Sequence, residues 1–154
     1  MLEFQNGKSQ IGLALLPLRL LIGFGFAAHG FAKLSRGVDG FADILQALNV
    51  PIPHFAAWAA SLTELIDGLA IMAGAFVPFV SVPLAIIMLT ALITVHLPYG
   101  FSSIKLMAIT ADGPQFGKIG YERNLLYIAG LFALALGGPG PFSLDALFTR
   151  RKSR

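Results

Sequence analysis

The sequence predicts an all-α integral membrane protein: four transmembrane helices in a bundle, with a short interfacial helix between spans one and two. Three observations carry that prediction. Of 154 residues, 56% are hydrophobic and only 12% charged, where soluble domains average about 25% charged; a soluble domain this small cannot hide so much apolar surface. The apolar residues gather in four stretches near the ~20 residues a helix needs to cross a bilayer. Proline and charged residues fall mainly outside those stretches. Helices follow because an open strand edge has no hydrogen-bond partner in lipid. The length fits one domain over residues 1–154.

Span one runs from about Ile11 to Ala32 and is interrupted by Arg19 and His29. Its apolar region exceeds the roughly 7–15 residues of a signal peptide and holds an arginine, which favours a retained span. After it, Phe41, Ile44, Leu45 and Leu48 recur at i, i+3, i+4 and i+7, while Asp43, Gln46 and Asn49 face elsewhere. That pattern suits an amphipathic helix on the membrane surface or one capping the bundle; Pro51 and Pro53 end it. Span two covers about Phe55 to Val77 and contains Glu64 and Asp67. Span three, about Phe79 to Leu97, follows after almost no connection, and its one ionisable residue is His96. Pro98 to Gly120 forms a glycine-containing connection with the turn sequence Asp112-Gly113-Pro114, expected to be a flap or a plain surface loop. Span four, about Tyr121 to Gly138, opens with Glu122 and Arg123.

Four spans put both termini on one side. Counting Lys and Arg, that side has Lys8, Arg150, Arg151, Lys152 and Arg154, and the other has Lys33, Arg36, Lys105, Lys118 and Arg123. The counts balance. The density of the tail cluster favours a cytoplasmic face against anionic headgroups, in the inner (plasma) membrane of a bacterium. Nothing suggests a nucleic-acid partner. With no cysteine, disulfides, thiol catalysis and cysteine-held metals are excluded. Phosphate loops, serine triads and dinucleotide fingerprints are absent. Small residues such as Gly23, Ala27, Ala57, Gly68, Gly130 and Ala133 allow close helix contact and point to a homo-oligomer.

Odd spans end and even spans begin on the same face. His29 and Lys33 therefore share a membrane half with His96, Glu122 and Arg123, and Glu64, about nine residues into span two, lies roughly 13 Å deep. Ionisable groups in a membrane normally face the bundle interior and find partners. Glu64 and Asp67 share a helix face at i, i+3. Arg19 is the expected counter-ion of Asp67, and Lys33 that of Glu64 or of a headgroup. His54, after Pro53, is expected to be solvated. The candidate site is thus His29, Glu64, His96 and Glu122, with Arg19, Lys33 and Asp67 tuning charge. Two histidines and two carboxylates suit a metal or a histidine-ligated haem, but no HxxxH or ExxH spacing supports metal. A proton relay, or hydrogen bonds to the carbonyls of a quinone, fits the same set.

The stretches RLLIGFGFAAHGFAKL, GFADILQALNVPIPHFAAWAASLTELIDGLAIMAG, HLPYGF and GYERNLLYIAGLFALALGGPGPFSLD, in that order, resemble the DoxX family of small bacterial inner-membrane proteins. The resemblance covers about Pro17 to Asp145. It implies a four-helix membrane protein with a characteristic Arg, His-Gly-x-x-Lys and Glu, here Arg19, His29 to Lys33, and Glu64. It also implies a link to sulfur and redox metabolism, since relatives include a subunit of a thiosulfate:quinone oxidoreductase and others scaffold detoxifying enzymes. The paired cysteines of thiol-redox relatives are missing. The expected function is a redox-linked membrane protein, such as an oxidoreductase subunit, with an intramembrane pocket for a quinone or small redox substrate. The alternatives are a non-catalytic anchor for soluble enzymes and a small-molecule or proton pathway.

Overall fold

The computed structural model describes residues 2–152, with side chains over 12–148. The side chains of Lys8, Arg150, Arg151, Lys152 and Arg154 lie outside that range, so their predicted role at a membrane face is not visible in it. The described chain is mostly helical: α1 (Leu2–Ser35), α2 (Asp39–Ala47), α3 (Pro53–Ala73), α4 (Val77–Ala91), α5 (Glu122–Gly137) and α6 (Leu144–Lys152). A π-helical turn, Leu92–His96, and a 3₁₀ turn, Leu97–Tyr99, extend the apolar run of α4 to Tyr99.

Among the described residues, three segments are long and apolar enough to cross a membrane: Gly12–Ser35, Pro53–Ala73 and Val77–Tyr99. The fourth expected span appears as α5, only 16 residues long, about 24 Å at 1.5 Å per residue. α5 nevertheless packs like the others. Contacts run from α1 to α3, from α3 to α4, from α4 to α5 and from α5 back to α1. Ile22 and Phe26 of α1, Ile71 of α3, Val77 and Leu84 of α4, and Leu131 and Leu134 of α5 meet in one buried cluster.

The closest approach is between α1 and α3, and small residues make it possible. A Cβ on Gly68 would lie 2.5 Å from the Ala27 backbone nitrogen, and one on Gly30 would lie 2.5 Å from that of Leu65. Gly23, Ala27 and Gly30 therefore form a flat strip on α1 against Ser61 and Gly68 of α3. In lipid, helices gain little from excluding water and depend on such close packing. Ser61 hides its hydroxyl by donating to the Ala57 carbonyl at 2.7 Å.

Two sequence expectations change. The Pro98–Gly120 connection is not a plain loop: Leu106–Thr110 (β1) and Gly113–Phe116 (β2) pair antiparallel, with a bulge between Leu106 and Ala108. Gly113, at φ +110°, supplies the positive φ that this tight turn requires. Arg19, expected beside Asp67, instead donates from its two terminal nitrogens to the carbonyls of Pro139 and Phe142. Those carbonyls follow α5, where helical partners have run out. A guanidinium forks across two such acceptors more readily than it reaches a carboxylate on another helix. Gly74, at φ +70°, leaves room for it: a Cβ there would sit 2.7 Å from the Arg19 nitrogen. Asp67 is half-buried, with no described basic side chain within 4.0 Å. On the same side of the molecule, Asp145 accepts the Phe76 N–H at 2.9 Å and ties the start of α6 to the α3–α4 turn.

The α1–α3 contact gives a paired stability test. Gly68→Ala should lower the thermal midpoint in detergent, because the added methyl meets backbone and costs about 1–3 kcal/mol. Gly40→Ala, on α2 with nothing within 4 Å, should leave it unchanged or raise it slightly, since alanine is the better helix former by up to about 1 kcal/mol. Equal effects at the two positions would refute the close-packing assignment.

Candidate functional site

α2 folds as its apolar spacing predicts. Val38 and Ala42 bury against Ala57 of α3, with Leu34, Phe41 and Leu45 packed around them. The rest of its apolar face does not simply face outward: Phe41, Ile44, Leu45 and Leu48 form one wall of a cavity of about 360 Å³. α1, α3, the α4–π segment and α5 supply the others. That volume lies within the range of small-molecule sites, which are mostly apolar with a few convergent polar groups.

His29 and Lys33 of α1, Glu64 of α3 and His96 of the π turn all line this cavity. The structure thus brings together three of the four residues expected to form the site, with one of the three expected charge-tuning groups. The Lys33 ammonium lies 2.6 Å from both Glu64 oxygens, and the Glu64 side chain is only 5% exposed. The same ammonium sits 4.3 Å from the centroid of the Phe41 ring, so one cation links α1, α3 and α2. His29 remains exposed, close enough to Glu64, Arg123 and Lys33 to feel their charges.

His96 has a defined orientation. Its Nδ1 lies 3.0 Å from the Ile119 carbonyl oxygen. A carbonyl only accepts, so Nδ1 carries the proton, and in the neutral ring Nε2 is left as an acceptor. The π turn contributes to this placement. An extra residue per turn shifts the helical register, and Thr94, Val95 and His96 all border the cavity as a result.

Glu122 does not line the cavity. Its Oε2 accepts the Ser103 N–H at 2.9 Å, while Ser103 Oγ accepts the Arg123 N–H at 3.2 Å. Glu122 therefore clasps the loop before β1 to the start of α5, where a carboxylate also complements the helix dipole. Arg19 and Asp67 are likewise absent from the lining. His54 is exposed, 3.6 Å from an exposed Asp39, as a solvated histidine would be. Among the described residues no three His, Asp or Glu side chains gather as a metal-binding set.

Sequence reasoning overlooked several lining residues. Arg123, a charge at the start of span four, borders the cavity next to Asn124 and one turn before Tyr127. Asn124 is 1% exposed and donates to the Met88 carbonyl at 3.2 Å; its Oδ1 has no protein partner. Tyr127 stacks edge-on with Phe26, centroids 5.2 Å apart. An amide inside an apolar run was the available signal for Asn124; nothing in the local pattern marked Tyr127.

A DoxX family model matches residues 14–97, a stretch that includes Arg19, His29, Lys33, Glu64 and His96. Two curated relatives align over most of both chains. An inner membrane protein of Escherichia coli, YphA, is 29% identical over 136 residues, covering 85% of this chain and 87% of that one. An uncharacterized membrane protein of Mycobacterium tuberculosis is 25% identical over 142 residues, covering 90% and 83%. No solved structure matches the chain. With more than half its length matched by the family model, including the residues that form the ion pair and both cavity histidines, this chain belongs to the DoxX family of membrane proteins.

Proposed function

We propose that this chain binds a small, mostly apolar molecule with a carbonyl- or hydroxyl-bearing head, of which a quinone is the type, and takes part in its redox chemistry in the membrane. The carrying observation is the cavity in which His29, His96 and the Lys33–Glu64 pair share a largely apolar enclosure. Neutral His96 offers Nε2 to a hydroxyl. His29, being exposed to the cavity, exchanges protons with a head that gains or loses them. The Lys33–Glu64 pair holds the buried carboxylate in place. No side chain here carries electrons, so they come from a partner protein or a cofactor.

Within this reading α5 completes a four-span bundle, its shortness offset by the hairpin and the 3₁₀ turn at one end and the α6 connection at the other. α2 lies at the bilayer surface, and both termini are cytoplasmic. A second reading, a membrane anchor for a soluble enzyme, has its own observation. The hairpin and the loop before it expose Ile104, Met107 and Ile109, the last at 79%, and a partner would cover them.

Two measurements check these proposals. Equilibrium dialysis of a short-tailed benzoquinone against the purified chain in nanodiscs should show saturable binding, weakened roughly tenfold by His29→Ala or His96→Ala, the loss of about one good hydrogen bond. Absence of saturable binding would remove the pocket reading and leave the anchor. For orientation, Asp112→Cys introduces the chain's sole thiol. A membrane-impermeant maleimide should label it in spheroplasts without lysis, and labelling only after lysis would invert the topology.

A further inference from the structure

A second cavity, of about 320 Å³, lies along the outside of α4 and α5. Val82, Ala85 and Leu89 of α4, with Ile128, Phe132 and Ala135 of α5, form its apolar walls. On each helix the wall residues follow the i, i+3, i+4, i+7 spacing of one face. The trough runs from Ser81 to Leu89, about 12 Å along the α4 axis. The one polar side chain in it is already satisfied, since the Ser81 hydroxyl donates to the Val77 carbonyl at 2.7 Å. Nothing in the trough asks for a polar partner.

This trough and the polar cavity are neighbours, with Ile86 bordering both. The direction is also informative. α4 runs from Val77 toward His96, so the histidine end of the helix holds the polar cavity and the trough lies upstream of it, toward the middle of the apolar segment. A polar head near one membrane face and an apolar extension toward the bilayer centre is the natural pose of a membrane amphiphile.

We infer that the trough holds the tail of the ligand whose head occupies the polar cavity, which makes the substrate class a lipid with a compact hydrogen-bonding head and an extended apolar chain rather than a water-soluble metabolite. This rests on the pocket reading above. It adds Ala85 and Ala135 as specificity-determining positions: their small side chains leave the channel open, and larger ones fill it. His29 and His96 set head affinity, and the α4–α5 trough sets tail affinity.

The test uses the full chain in nanodiscs and a dimethoxy-methyl-benzoquinone head carrying no tail, one isoprene unit or two, with partitioning into empty nanodiscs subtracted. For the unmodified chain each unit should tighten binding roughly tenfold. In Ala85→Trp and Ala135→Leu that gain should shrink to within about twofold, with tailless affinity unchanged. His29→Ala should weaken every member alike. Ala135→Leu is the milder change and keeps the test alive should Ala85→Trp fail to fold, judged by its thermal midpoint. A tail gain retained in both variants overturns the inference. So does a change of oligomeric state in either variant, which would assign the trough to a second copy. So does capture of bulk-lipid chains by a photoreactive group at position 135 that added quinone does not compete away. Should the tailless head bind while the tail gain resists both variants, only the trough assignment falls; should no member of the series bind, the pocket reading falls with it.

Discussion

A single ion pair constrains the rest of this molecule. Glu64 sits in the middle of an apolar helix with its side chain nearly fully buried. A charge in such surroundings costs several kcal/mol unless it is paired and hydrogen-bonded. Lys33 meets both carboxylate oxygens, and the demand for that contact reaches outward. α1 and α3 must approach until Gly30 and Gly68 touch backbone, because only then does a side chain from one reach the other. α2 must fold back so that Phe41 covers the ammonium. The cavity is what remains between these elements once the pair is satisfied, and it inherits two histidines from the helices that bound it.

The two ends of the packed helices treat their polar groups differently. At the end holding the α3–α4 turn, Arg19 and Asp145 are consumed by structure. Arg19 bridges the carbonyls after α5, and Asp145 binds the α3–α4 turn. At the other end Glu122 is consumed in the same way by the loop before the hairpin, but His29 and one nitrogen of His96 are left facing open space. Groups that close turns serve stability, and groups left open beside a cavity are the ones the proposed function calls on. Arg19 and Glu122 are of the first kind, Asp67 is of neither, and His29 and His96 are of the second.

This division marks what the sequence made legible. The helices were legible because lipid allows few alternatives and the apolar runs have the right length. So was the gathering of His29, Lys33, Glu64 and His96, which were expected to lie together and line one cavity. Glu64 was one of two partners the sequence offered Lys33, the other being a lipid headgroup, and the structure pairs it with Glu64. The partners of Arg19 and Glu122 were not legible. Both bind backbone atoms, and backbone carbonyls and amides carry no residue code. The hairpin was hidden because Gly113 and Pro114 signal a turn and Pro within a strand argues against one. The role of α2 was split evenly between bilayer surface and bundle cap, since an apolar helical face has the same spacing whatever it covers.

If the ion pair organises the site, its removal must be costly in a way that depends on both partners. The direct measurement is a double-mutant cycle on unfolding free energy in mixed micelles, using Lys33→Met, Glu64→Leu and the double variant. Each single change leaves an unpaired charge in an apolar environment and should cost about 3–5 kcal/mol, while the double variant should recover much of that loss. Single changes that cost under about 1 kcal/mol and simply add in the double variant, as expected of an exposed pair, would contradict the account.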